Sequence, residues 1–291
     1  MNSIVLASGT DYFSDDQPIN PFMDNTVPID LDRAKAEHQA IMDALESVGV
    51  EVVRVAPPAG CQDGVFTANW ALVHGNKAVI ARLPNARRGE EAYAKGVLES
   101  RGISTIMLPE HLKFSGQGDA LPCGNYLFCG SGYRSDEEAQ EIAARELGFT
   151  RIQLRAKPQL DESGQPVINA YSGLPDSFYY DIDLAISILK FPTETSKGLI
   201  AWCPAAFMPE SVELLRSFDG VDKIEVSETE AMNALCCNLV STGTHVVMNA
   251  GAPEFTAKLR EHGLEPILLS NPELAKGGGS MRCTTLTVGK N

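Results

Sequence analysis

Apolar positions recur along this chain in two rhythms that alternate from one end to the other. A spacing of three and four puts Ala34, His38, Ile41, Met42, Leu45 and Val48 on one helical face. Asp30 stands before that face as an N-cap, and Gly49 closes it. Ser135-Asp136-Glu137-Glu138 reads as a capping box ahead of Ala139, Ile142, Ala143 and Leu147, and Ser227-Glu228-Thr229-Glu230 repeats that signature before Ala231 to Leu235. A fourth helix is expected from about Glu254 to Gly263. Between the helices lie short apolar runs that predict strands: Val50 to Val55, Lys77 to Ala81, Tyr126 to Cys129, Ile182 to Leu189, Leu199 to Trp202, His245 to Met248 and Pro266 to Leu269. Met1 to Ala7 reads as another short strand. Asp161 to Pro166 is the most turn-like segment.

The strand-helix-strand unit returns roughly every 50 to 60 residues without obvious identity between copies. That period suits a radially repeated α/β architecture and an open doubly wound sheet equally well. No low-complexity linker interrupts it.

Charge narrows the function. Against 24 Lys and Arg stand 38 Asp and Glu, a formal net charge of −14 over 291 residues, with no basic cluster. Such a field repels nucleic acid and anionic membranes and attracts cationic ligands. No apolar run approaches the roughly 20 residues of a membrane span, and the N-terminal stretch lacks the pattern of a secretory leader, so a cytoplasmic protein is expected. Seven cysteines show no CxxC pair, and Cys236-Cys237 are adjacent, which fits reduced thiols better than a disulfide frame or a zinc site.

Candidate chemistry concentrates in a few segments. Gly277-Gly278-Gly279-Ser280-Met281-Arg282-Cys283 sets a thiol at the end of a glycine-rich loop, and the alternation Thr284, Leu286, Val288 reads as a strand leading away from it. A nucleophile belongs on such a mount. Gly116-Gln117-Gly118-Asp119 lacks the third glycine of a dinucleotide fingerprint and leaves an aspartate on a glycine turn. Asp63-Gly64-Val65-Phe66-Thr67-Ala68-Asn69 places an acid and an amide around an apolar run, and Arg87-Arg88 sit at a helix entrance where the dipole disfavours them. Asp181-Ile182-Asp183, read as a strand, puts two carboxylates on one face, where a cation, a metal or a guanidinium would satisfy them.

In their order these pieces resemble the guanidino-group-modifying enzymes of the pentein superfamily: dimethylarginine dimethylaminohydrolases, arginine deiminases and dihydrolases, and amidinotransferases. Asn20-Pro21-Phe22-Met23, Asp63 to Asn69, Arg87-Arg88 with Glu91, Gly118-Asp119, Cys237-Asn238 with His245 to Met248, and Gly277 to Cys283 each look like a family motif, from about residue 20 to the end. The resemblance implies an α/β fold, a five-bladed α/β propeller of pseudo-repeated ββαβ modules, as one catalytic domain over 1–291. It implies hydrolysis at a guanidinium carbon through a covalent thiouronium on Cys283, with no cofactor and no metal. Asp119 and Asp183 would hold the guanidinium nitrogens, Arg88 and Arg134 the substrate carboxylate, and Asp63 and Asn69 its amino end. The expected partner is a small cationic guanidino compound, with no nucleic acid and no membrane, and a homo-oligomer stays open.

One position departs from the family. Its His-x-Asp aligns with Asp181-Ile182-Asp183, so Asp181 stands where the proton-carrying histidine is expected, and Gly116 replaces the usual glutamate before the glycine-aspartate turn. A carboxyl can carry that proton where burial or a second carboxylate keeps it protonated. Asp181 is therefore the expected shuttle beside Cys283, assisted by Asp183. An amidinotransferase with an amine acceptor, and a guanidine-binding member without turnover, are the alternatives.

Overall fold

Five three-stranded sheets, all on one plan, hold every strand of the computed structural model, which describes residues 1–289. In the first, β1 (Ile4–Ser8) runs parallel to β2 (Glu51–Val55), joined through helix α1 (Leu31–Ser47). The next four each begin with an antiparallel hairpin whose second strand then crosses over a helix to a parallel third. They are β3 (Ala71–His74), β4 (Lys77–Ile80), α2 (Gly89–Ser100) and β5 (Ser104–Met107), then β6 (Ala120–Cys123), β7 (Tyr126–Ser131), α3 (Glu137–Leu147) and β8 (Thr150–Arg155). After them come β9 (Ile186–Lys190), β10 (Gly198–Trp202), α4 (Pro209–Ser217) and β11 (Val221–Glu225). Past α5 (Glu228–Asn233), the fifth holds β12 (Val240–Ser241), β13 (His245–Asn249), α6 (Pro253–Glu261) and β14 (Glu265–Leu269). After α7 (Pro272–Ala275), β15 (Leu286–Thr287) returns to pair antiparallel with β1 and gives the first sheet its missing hairpin strand.

The apolar face of α1 explains its seat: Ala34, Ile41, Met42 and Leu45 are fully covered and pack with Val5, Val247 and Leu274. Asp30 accepts from the amide of Arg33 at 3.0 Å, as an N-cap does, and Gly49 takes the positive φ of 85° that ends the element. Ser227 caps α5 in the same way, through the amide of Glu230 at 3.3 Å. The expected box at Ser135 does not form. Its hydroxyl accepts from the amide of Ser115 at 3.0 Å instead, and the Asp136 carboxylate takes the amide of Lys113 at 2.8 Å. A tie between neighbouring repeats has claimed the capping side chain.

Two expected strands are corrected. Residues Ile182–Leu184 form a 3-10 turn, closed by the amide of Leu184 on the carbonyl of Asp181 at 3.2 Å, and β9 begins only at Ile186. Thr284 likewise lies in a turn, bonded through its amide to Ser280 at 3.1 Å, and the strand there is confined to Leu286–Thr287. Alternation of apolar and polar residues over so few positions serves a buried turn as well as a strand.

Candidate active site

Each repeat contributes a tight turn immediately before its first strand, and the five turns meet. Asn69 lies in the turn before β3, Asp119 precedes β6, Asp183 precedes β9, Asn238 precedes β12 and Cys283 precedes β15. The turns touch directly: the amide of Ala68 donates to the carbonyl of Cys283 at 3.1 Å, and that of Ile182 to Asp119 Oδ1 at 3.0 Å. A repeated local structure thus gathers side chains that lie far apart in sequence. Glycines let the turns approach. A Cβ on Gly118 would sit 2.3 Å from Asn69 Nδ2, and one on Gly279 2.8 Å from the Cβ of Cys283.

Cys283 is only 2% exposed. Its sulfur accepts from Asn238 Nδ2 at 3.1 Å, while Oδ1 of the same amide accepts from the Cys283 amide at 3.2 Å, so one asparagine fixes both ends of the residue. The thiol donates to Asp183 Oδ2 at 3.4 Å. Burial, then the charges of Asp183 and Asp181, push the thiol well above its ordinary range. The resting sulfur therefore carries its proton, with an acceptor already in contact.

The acids beside it are under-compensated. Asp183 is pushed up to about 8 by burial first and then by Asp181, with Arg282 opposing. Asp119 is raised by burial and by Asp181. Asp181 Oδ2 accepts from Asn69 Nδ2 at 2.8 Å and lies 3.8 Å from Arg134 Nη1. The Oδ1 atoms of Asp181 and Asp183 are buried with no partner among the described residues. Arg134 stacks over the ring of Tyr180 at 3.9 Å and donates to the carbonyl of Ile19 at 3.2 Å. Tyr180 in turn donates to the carbonyl of Gly278 at 2.7 Å, and Asn20 to that of Gly277 at 3.0 Å. Those two bonds anchor the glycine loop that carries the nucleophile.

Seven of the eight expected site residues, Cys283, Asp181, Asp183, Asp119, Asp63, Asn69 and Arg134, are buried in this region. The eighth, Arg88, is exposed at the start of α2, beside Arg82, Glu91 and Glu110. The buried arginine is its neighbour Arg87, which holds both oxygens of Glu90 at 2.8 and 2.7 Å and donates to Asn69 Oδ1 at 2.8 Å. Asp63 accepts from Gln62 at 3.0 Å and is pushed up to about 6, chiefly by burial. The carboxylate bonded to Cys283 is Asp183, whereas the hydrogen bond of Asp181 goes to Asn69. None of His38, His74, His111, His245 and His262 makes a hydrogen bond to any of these residues. Sequence reasoning assigned no role to Asn238, Arg87 or Tyr180, although Cys237-Asn238 and Arg87-Arg88 stood among the motifs that resemble the family.

A family model described as N,N dimethylarginine dimethylhydrolase, eukaryotic, matches residues 11–168. An N(G),N(G)-dimethylarginine dimethylaminohydrolase of Mycobacterium tuberculosis is 31% identical over 277 residues, covering 95% of this chain and 83% of that protein. The bifunctional arginine dihydrolase/ornithine cyclodeaminase AgrE of a Nostoc species is 30% identical over 283 residues, and this chain spans 37% of its length. The N-terminal domain of ArgZ, an arginine dihydrolase from cyanobacteria solved with its product, matches with a TM-score of 0.84 at 28% identity, over 99% of this chain and 97% of that one. A variant of that domain, solved covalently bound to a reaction intermediate, matches with a TM-score of 0.84. On motif order, fold and these relatives, the chain belongs to the dimethylarginine dimethylaminohydrolase family of the pentein superfamily.

Proposed function

We propose that this protein hydrolyses the guanidinium group of an arginine-like substrate, with Cys283 as nucleophile. The observation that carries the reading is the buried thiol bonded to Asp183, with Asp119 and Asp181 close behind it and two carboxylate oxygens free. A guanidinium is the cation whose flat fork of N–H groups pairs with several carboxylates at once. Asp119 and Asp183 hold its nitrogens, while Arg134 takes the carboxylate of the substrate and Asp63 and Asn69 border its amino end.

Pairing with the guanidinium ionises Asp183, and as the sulfur attacks the guanidinium carbon the thiol proton passes to that carboxylate. The C–N bond then breaks, the leaving amine takes up a proton from the Asp183–Asp181 pair, and a thiouronium remains on Cys283. Water adds to the same carbon, returning a proton to that pair, and the C–S bond breaks to free a ureido product and the cysteine. The two carboxylates do the work of a general acid and base, with Asp183 the member in contact with sulfur. The five sheets are the blades of a closed propeller in this reading. The pairing of β15 with β1 and the meeting of five equivalent turns support that closure, and the whole is one catalytic domain.

A second reading rests on the five histidines, none of which bonds to the cluster: the pocket binds guanidines and stops at the adduct. Incubation with arginine, methylated arginines, agmatine and guanidino acids, followed by product analysis and intact protein mass, separates the two. Released amine with a ureido product supports the hydrolase. Modified protein that never turns over supports the binding member, and an unmodified, inactive protein removes both.

A further inference from the structure

Asp181 is the position at which this chain departs from its family's motif, and its carboxyl is held by one oxygen only. Oδ2 accepts from Asn69 Nδ2 at 2.8 Å and lies 3.8 Å from Arg134 Nη1. Asn69 is itself fixed, its Oδ1 accepting from Arg87 Nη1 at 2.8 Å and its Nδ2 donating also to the carbonyl of Ser115 at 3.1 Å. Gly118 closes another side, since a Cβ there would stand 2.9 Å from Asp181 Oδ2 and 3.1 Å from its Cγ. The carboxyl is thus held in one orientation, and its Oδ1 is buried with no partner among the described residues. Asp181 is near enough to act on the carboxyls of Asp119 and Asp183 and on the Cys283 thiol, so that free oxygen lies within the cluster that would surround a guanidinium.

A fixed polar atom without a partner selects what is set in front of it. On the hydrolase reading, on which this inference rests, the leaving nitrogen comes between Asp183 and Asp181. An unsubstituted terminal nitrogen of a guanidinium brings two N–H groups. A nitrogen carrying two methyl groups brings none, and its lone pair is delocalised into the cation. A carboxylate Oδ1 then finds no donor, and a carboxylic O–H finds no acceptor, so either protonation state leaves a buried polar atom unmatched. Asp181 is 1% exposed, so bulk water does not make good the loss. We propose that Asp181 is a specificity-determining residue, which admits guanidines whose terminal nitrogens each keep an N–H and excludes those dimethylated on one nitrogen.

The test is calorimetry on the full chain as Cys283→Ala, so that binding is read without turnover. The ligands are arginine, its form dimethylated on one terminal nitrogen, and the isomer with one methyl on each. The two dimethylated forms have the same atoms, but only the second keeps an N–H on both nitrogens. Arginine should bind about 100-fold or more tighter than the first form and within about tenfold of the second. Equal rejection of both isomers would make bulk the selector and overturn the role of Asp181. Adding Asp181→Ala should shrink the preference for arginine over the first form below about tenfold. A preference kept in full by that variant, with its Tm showing a folded chain, refutes the assignment. The isomer comparison changes nothing at Asp181, so a variant that fails to fold leaves the proposal exposed to test. Comparable binding of all three guanidines overturns it while the hydrolase reading stands, and binding of none overturns both.

Discussion

Two buried charged groups share Asn69 and could hardly differ more. On one side Arg87 bonds through all three guanidinium nitrogens, to both oxygens of Glu90, to Asn69 Oδ1 and to the carbonyls of Asp63 and Phe66 at 3.1 and 3.2 Å. On the other, Asn69 Nδ2 meets Asp181, where three carboxylates and a thiol lie together with Arg134 at 3.8 Å as the nearest cation. The first group is a paired charge with every guanidinium nitrogen bonded, as buried ion pairs need to be to persist. The second gathers acids without enough cations to match them and keeps free carboxyl oxygens. Scaffold and site are thus distinguished by how far their hydrogen-bonding capacity is met, more than by residue type.

The largest effect should come from Cys283→Ala, which on this division removes turnover by about 10⁴-fold or more while the fold stands. Near-normal product formation by that variant would end the assignment of the nucleophile. Arg87→Met should do the reverse, leaving Glu90 buried without its partner at a cost of about 3–5 kcal/mol in denaturant unfolding. A loss under about 1 kcal/mol would show that Arg87 is not the scaffold charge.

Acidity sharpens the contrast. The Asp183 carboxyl sits at about 8 against an ordinary 3.8, so the folded protein holds a proton there that the unfolded chain has lost between those values. Its stabilising contribution is complete below pH 4 and disappears as pH rises through about 8. The stability of Asp183→Asn relative to the parent should therefore improve steadily from pH 5 to 8.5, while turnover falls. A flat difference across that range would contradict the raised carboxyl. A guanidinium prefers the ionised acids, so its affinity by calorimetry should climb over the same interval, and a neutral ureido analogue should bind more weakly and show no such climb. The smallest effect is assigned to Arg88→Ala. An exposed side chain outside the buried group should change stability by less than about 0.5 kcal/mol and leave KM close to the parent value. A tenfold rise in KM would instead bring Arg88 into contact with substrate.

How much of this was legible beforehand follows from the range of the forces involved. The α1 helix, its Asp30 cap and its glycine stop depend on neighbours within four residues, and they were read almost to the residue. The glycine turns pointed to Cys283 and Asp119, because close approach of backbone requires glycine at fixed positions, while Asp183 was reached through the family's motif order. The choice between Arg87 and Arg88 was not legible. Adjacent identical residues have the same local propensities, and only the tertiary placement of Glu90 and Asn69 decides which one is buried. Nor could alternation show that Asp181 and Asp183 lie on a turn, since three apolar neighbours are buried either way. The contact of Asp183 with sulfur spans 100 residues, a distance over which sequence patterns say nothing.

The return of β15 to β1 also sets an order of events during folding. Val5 pairs with Thr287, so the first sheet cannot gain its third strand until nearly the whole chain has been synthesised. Closing a contact of that separation is slow, because loop entropy is lost before any native contact rewards it. The earlier repeats can meanwhile collapse on local contacts, each with its own hairpin and crossover helix. Cys283 rides on the segment that closes last. The thiol is synthesised after every acid it will meet, and in a nascent or partly folded chain it is an ordinary cysteine without Asp183 to take up its proton.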